Sequence, residues 1–136
     1  MAVGGETRLT MSLVATGFGY SVERRTSQAR CVARLLPQIR DIRRAGAASV
    51  DLCWLAEGKV DASYEVGLKP WDYTAATVIA REAGAQVTGL PGEPPNERLV
   101  VAANPALLPE FRQLLTACEV GEIAGGPAGG NSVQPA

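Results

Sequence analysis

The stretch that decides the fold runs from Gly46 to Ala85. Its first part reads Gly46-Ala47-Ala48-Ser49-Val50-Asp51-Leu52-Cys53-Trp54-Leu55-Ala56-Glu57-Gly58. Ala47 to Glu57 is predicted as a helix, with apolar residues on nearly every side, so it is buried on several faces. Gly46 precedes it, and Gly58 stops it at the position where a helix ends in a left-handed residue. Val60 to Val66 follows as a strand. Pro70 then opens a second helix, where its missing N–H costs nothing. That helix runs to Ala83, with Gly84 as its stop, and Ala85 to Thr88 is a short strand.

Working outward, Leu9 to Phe18 reads as a strand with Leu13-Val14-Ala15 as its buried run, ended by Gly17 and Gly19. Ser21 to Ile39 reads as a helix. Val22, Ala29, Val32, Leu36 and Ile39 form its apolar stripe, while Arg24, Arg25, Gln28 and Arg34 fall largely off it. Asp41 to Ala45 is a short strand candidate. On the other side, Gly89 to Asn96 carries Pro91, Pro94 and Pro95 and reads as a loop. Arg98 to Ala103 is a strand, and Pro105 opens a last helix to about Cys118. Alternation of this kind argues for a layered α/β fold. Residues 1–118 are expected to form one domain. The Gly-, Pro- and Ala-rich residues 119–136 are expected to be disordered, having little to bury.

Composition narrows the chemistry. The 136 residues contain no histidine, which removes histidine relays, histidine general bases and histidine metal ligands. The three cysteines, Cys31, Cys53 and Cys118, form no Cys-x-x-Cys pair, so zinc-ribbon and thioredoxin-type readings fail. A sparse, odd set fits buried thiols in a reducing, cytoplasmic setting. No apolar run is long enough to span a membrane, and Met1 to Thr10 lacks the pattern of a secretory signal. Net charge is −1, yet residues 1–45 hold eight arginines against Glu6, Glu23 and Asp41, while the remainder is acidic. Those arginines lie among aliphatics and read as a solvated helix face rather than a nucleic-acid surface.

Three features of the deciding stretch bear on function. Gly46-Ala47-Ala48 opens a helix with small residues, and free N–H groups at a helix start attract anions. Glu65 ends a strand. Asp72 opens the next helix, seven residues on. Two carboxylates at the C-terminal edge of a sheet lie where α/β folds place ligands, and oxygen ligands suit Mg²⁺. The same residues also read as a first-turn acid serving its helix dipole (Asp72), a strand-end surface charge (Glu65) and plain close packing (Gly46 to Ala48).

The runs Arg43 to Cys53, Ala56 to Asp61, Tyr64-Glu65, Lys69-Pro70-Trp71-Asp72, and Glu82-Ala83-Gly84 resemble the C-terminal half of the inositol monophosphatase family. Val14 to Tyr20 resembles the preceding strand and turn, and Val101 to Asn104 the last strand. The resemblance covers about residues 9–117 and implies a mixed sheet flanked by helices, half of the sugar-phosphatase fold. It implies a magnesium-dependent phosphate monoester phosphatase acting on a small phosphorylated polyol. By position, Asp72 matches a magnesium-binding aspartate, Glu65 the glutamate that hydrogen-bonds a polyol hydroxyl, and Gly46, Ala47 and Ala48 the substrate-contacting helix start. Relatives are dimers, so a homodimer or a complementing N-terminal half is the implied partner.

The sequence departs from the family in three places. Thr74-Ala75-Ala76 stands where alanine-alanine-glycine is usual, and Ala85 replaces a glycine. More severely, the family's aspartate-proline-leucine-aspartate-glycine-threonine run is absent: the only aspartates are Asp41, Asp51, Asp61 and Asp72. One carboxylate cannot hold the clustered ions that such hydrolysis uses. The chain is therefore expected to bind magnesium weakly or not at all, to be a truncated half-molecule, and to be inactive alone. Another sugar or nucleotide phosphatase of the same superfamily, and a non-catalytic partner-binding fragment, are the competing expectations.

Overall fold

The computed structural model describes residues 1–124. Five strands form one sheet: β1 (Leu13–Thr16), β2 (Asp41–Arg43), β3 (Ala62–Glu65), β4 (Gln86–Thr88) and β5 (Val100–Ala103). Five helices accompany them: α1 (Val22–Leu35), α2 (Ala48–Ala56), α3 (Pro70–Glu82), α4 (Leu108–Ala117) and α5 (Val120–Ala124). The strand order is β2-β1-β3-β5-β4, with β1 parallel to β2 and β3, and β5 antiparallel to β3 and β4. This is the layered α/β arrangement that the alternating pattern implied, with the mixed sheet that the family resemblance implied.

Side-chain alternation along the strands builds three layers. Val14, Ala62, Tyr64, Val101 and Ala103 face one core with Cys31, Leu35, Leu107, Phe111 and Leu115 of the α1 and α4 side. Ala15, Val100 and Ala102 face the other core with Leu52, Leu55, Ala76 and Ala80 of α2 and α3. Strands covered on both faces read as continuous apolar runs, which is why Val100 to Ala103 is buried throughout.

The structure differs from the sequence reading in four places. Leu9–Met11 is a 3-10 turn rather than the start of β1. The Ser12 hydroxyl donates to the Arg8 carbonyl at 2.7 Å, and the Ser12 N–H to that of Leu9, bending the chain before the strand. Helix α1 ends at Leu35, and Pro37 is taken into a 3-10 turn over Leu36–Gln38. The buried face of α1 is Gln28, Cys31 and Leu35, whereas Val22 is 69% and Leu36 44% exposed. Gln28 sets that rotation: its side-chain oxygen accepts from the Gly19 N–H at 2.9 Å, and its amide donates to the Gly17 carbonyl at 3.4 Å. Finally, α5 forms within the stretch expected to be disordered, with Val120 and Ile123 buried in the α1–α4 core. The rest of that expected tail, 125–136, lies outside the described residues.

Candidate functional site

Because β1 and β3 are parallel neighbours, their C-terminal ends meet at one sheet edge. The Thr16 hydroxyl donates to the Tyr64 carbonyl at 2.8 Å and pins them together. The loops that leave these strands, the start of α2 and the start of α3 enclose a cleft of about 520 Å³. All five residues singled out from sequence, Gly46, Ala47, Ala48, Glu65 and Asp72, line it. A crevice beyond the carboxyl ends of parallel strands is where open α/β sheets hold ligands.

Glu65 is the last residue of β3 and is partly buried. Its carboxylate lies flat over Gly17, with all three carboxyl atoms 2.6–2.7 Å from where a Cβ at Gly17 would stand. Gly17 needs no left-handed backbone, so its missing side chain is explained by room for Glu65. Burial pushes the Glu65 acid up to about 7, helped by the negative charges of Asp51 and Asp72 and opposed by the Arg44 guanidinium. Near neutral pH this group therefore exists both as an acceptor and as a proton carrier.

Asp72 sits in the first turn of α3. Its Oδ2 accepts from the Lys69 N–H at 2.9 Å, so it serves its own helix while facing the cleft. The reading of Asp72 as a first-turn acid serving its own helix is thus met, one oxygen being committed to the backbone. Gly46 takes φ +92°, which only glycine adopts cheaply, and turns the chain into α2. Ala47 is the N-cap of α2 and offers no side-chain acceptor, so the first N–H groups of that helix face the cleft without a cap.

Sequence reasoning passed over three residues. Asp51, one turn into α2, is 2% exposed, and its Oδ1 has no hydrogen-bond partner among the described residues. Burial pushes it up to about 6, against the pull of the Ala45 N–H and the Arg44 charge. A single acid in a helix whose only other polar residue is Ser49 was the available signal. Arg24 and Arg44, read as solvated helix-face charges, both line the cleft, and Arg44 stacks over the Phe18 ring at 5.4 Å. Two aromatic side chains, Tyr20 and Trp71, stand exposed on its walls, Trp71 at 81%. A second hollow of about 250 Å³, beside α4 and α5, is mainly apolar and holds none of the predicted residues.

Among the described residues, no three His, Cys, Asp or Glu side chains converge to hold a metal ion. Asp72 stands with one oxygen already engaged, and Mg²⁺ demands near-octahedral oxygen coordination. These residues do not by themselves fit a resident magnesium site.

The profile of the inositol monophosphatase family matches residues 1–119, and the chain belongs to that family. It is 46% identical over 108 residues to the inositol-1-monophosphatase SuhB of Mycobacterium tuberculosis, covering 79% of this chain and 37% of that protein. The structure of Mycobacterium tuberculosis SuhB superposes with a TM-score of 0.78 at 42% identity, over 89% of this chain and 47% of the other. Escherichia coli Nus factor SuhB is 38% identical over 82 residues, 60% of this chain and 31% of that protein. The chain thus spans less than half the length of each of these relatives. Among the described residues no helix is long and apolar enough to cross a membrane.

Proposed function

We propose that the cleft binds a small phosphorylated polyol, with Glu65 hydrogen-bonding its hydroxyls and its phosphate directed to the start of α2 and the Asp72 side. The observation that carries this reading is the gathering of Gly46, Ala47, Ala48, Glu65 and Asp72 around one cleft at the ends of β1 and β3. Uncapped N–H groups in the first turn of α2, beginning at Ala48, suit an anion. Glu65, held over Gly17, suits vicinal hydroxyls. Family membership supports a phosphate monoester as ligand and hydrolysis as the reaction of longer relatives. In this chain the carboxylates needed to cluster metal ions are not assembled among the described residues. Magnesium at Asp72 alone is accordingly weak, and the chain binds substrate without turning it over.

Titration of the purified chain with inositol monophosphate, followed through Trp71 fluorescence, tests the reading. Glu65→Gln is expected to weaken binding about tenfold or more, the worth of a charge-assisted hydrogen bond. Phosphate release with magnesium is expected to stay at the level of an Asp72→Ala control. Unchanged affinity in Glu65→Gln, or release above that control, overturns it.

A second reading has its own observation, the Nus factor name carried by the Escherichia coli relative. In it the chain is a binding module, with the cleft incidental. A Glu65→Gln variant that keeps every protein contact of the parent while losing the polyol separates the two.

A further inference from the structure

Arg24 occupies an unusual position for a residue in the first turn of a surface helix. Its backbone N–H is taken by the Ser21 hydroxyl oxygen, which fixes where the side chain starts. From there the chain lies across Gly19, its Cδ 2.5 Å from where a Cβ at Gly19 would stand, and the guanidinium lies over Gly67. Gly67 needs glycine for its backbone, at φ +91°. Gly19 does not, having no left-handed φ, so its bareness is explained by room for Arg24. The loop Gly17-Phe18-Gly19 therefore has two bare floors, one under the Glu65 carboxylate and one under the Arg24 side chain.

The charges around these two groups differ. The carboxyl of Glu65 feels Asp51, Arg44 and Asp72. Arg24 forms no ion pair among the described residues, whereas the neighbouring Lys69 is already paired with Glu97 at 2.6 Å. A guanidinium held in a cleft by two glycines and left without a carboxylate is a ready bidentate donor to an anionic oxygen pair.

We propose that Arg24 is a specificity residue that holds a second anionic substituent on the polyol ring, so that the cleft prefers a polyol bisphosphate to the monophosphate. This rests on the reading of the cleft as a polyol phosphate site, with Glu65 on the hydroxyls.

The isotope-labelled chain would be titrated with a myo-inositol bisphosphate, with myo-inositol monophosphate and with inorganic phosphate. Trp71 fluorescence reads affinity, and the arginine Nε–Hε resonances report on Arg24. The bisphosphate is expected to bind about tenfold tighter than the monophosphate and to shift the Arg24 resonance, which the monophosphate leaves in place. Arg24→Gln is expected to abolish the preference, the bisphosphate losing more affinity than the monophosphate, and Arg24→Lys to restore part of it. Equal binding of the two esters, a preference that survives in Arg24→Gln, or a shift of Arg24 by inorganic phosphate as large as by the bisphosphate would overturn the proposal. Absence of any shift at Arg24 would also overturn it. Glu65→Gln weakens both esters alike. If it weakens neither while Arg24→Gln still removes the preference, the assignment of Glu65 fails and that of Arg24 stands.

Discussion

Replacing Asp51 with asparagine should stabilise the folded chain, and only above mildly acidic pH. Asp51 is all but sealed from water, and one carboxylate oxygen has no partner among the described residues. Burial lifts its proton affinity from the ordinary 3.8 to about 6. At roughly 1.4 kcal/mol for each tenfold change in that equilibrium, ionising it inside the fold costs on the order of 3 kcal/mol. The sign follows from proton counting. Between about pH 4 and 6 the folded chain still holds the proton that the unfolded chain has released, so unfolding free energy falls as pH rises through that window. Above about pH 6 the whole penalty is present. Asparagine keeps the shape and cannot ionise, although its buried amide still needs a partner. The expected gain is therefore about 1–3 kcal/mol at pH 8 and close to nothing at pH 4. Urea denaturation across that range measures it. Parallel pH profiles for the two proteins, or an Asp51→Asn chain less stable at pH 8, would refute the reasoning. Removing the Asp51 charge also removes one of the negative charges that raise Glu65, so the Glu65 carboxyl should titrate lower in the variant, by carbon NMR.

Ala47→Ser supplies the side-chain acceptor that the N-cap of α2 lacks, and thermal melts should show a gain of about 1 kcal/mol. Gly17→Ala places a methyl 2.6–2.7 Å from the Glu65 carboxyl. It should displace that group and cut polyol affinity in the fluorescence titration while the far-ultraviolet dichroism is unchanged. Phe111, fully buried and edge-on to Tyr64 at 6.2 Å between ring centroids, should cost about 3–5 kcal/mol on truncation to alanine, seen as a lowered urea midpoint.

The order of strands and helices was legible because small residues punctuate the chain where the backbone turns. Gly46, Gly58 and Gly84 all take positive φ at the ends that were read from them. Helix α2 was legible as a buried helix because apolar residues run around it. What failed depended on distant contacts. The face of α1 is chosen by Gln28, whose partners are backbone groups of the β1–α1 loop, and no periodicity of apolar residues reports that. Helix α5 carries only Val120 and Ile123 to bury, too little signal against a Gly- and Pro-rich background. Within the cleft, Glu65 and Asp72 were visible through their place at element ends. Asp51 and Arg24 were hidden because each is defined by what lies across from it: an unpartnered oxygen inside a core, and two glycines from different loops.

The sheet's outermost members, β2 and β4, are three residues long apiece. Such stubs give a foreign strand almost no template on which to zip, and the Arg43–Asp41 ion pair at 3.0 Å sets charge along the β2 rim. Growth of the sheet into a neighbouring molecule is thereby discouraged at both margins. The apolar surface left open lies instead on helices, as at the flank of α3 where Val78 and Ile79 face water.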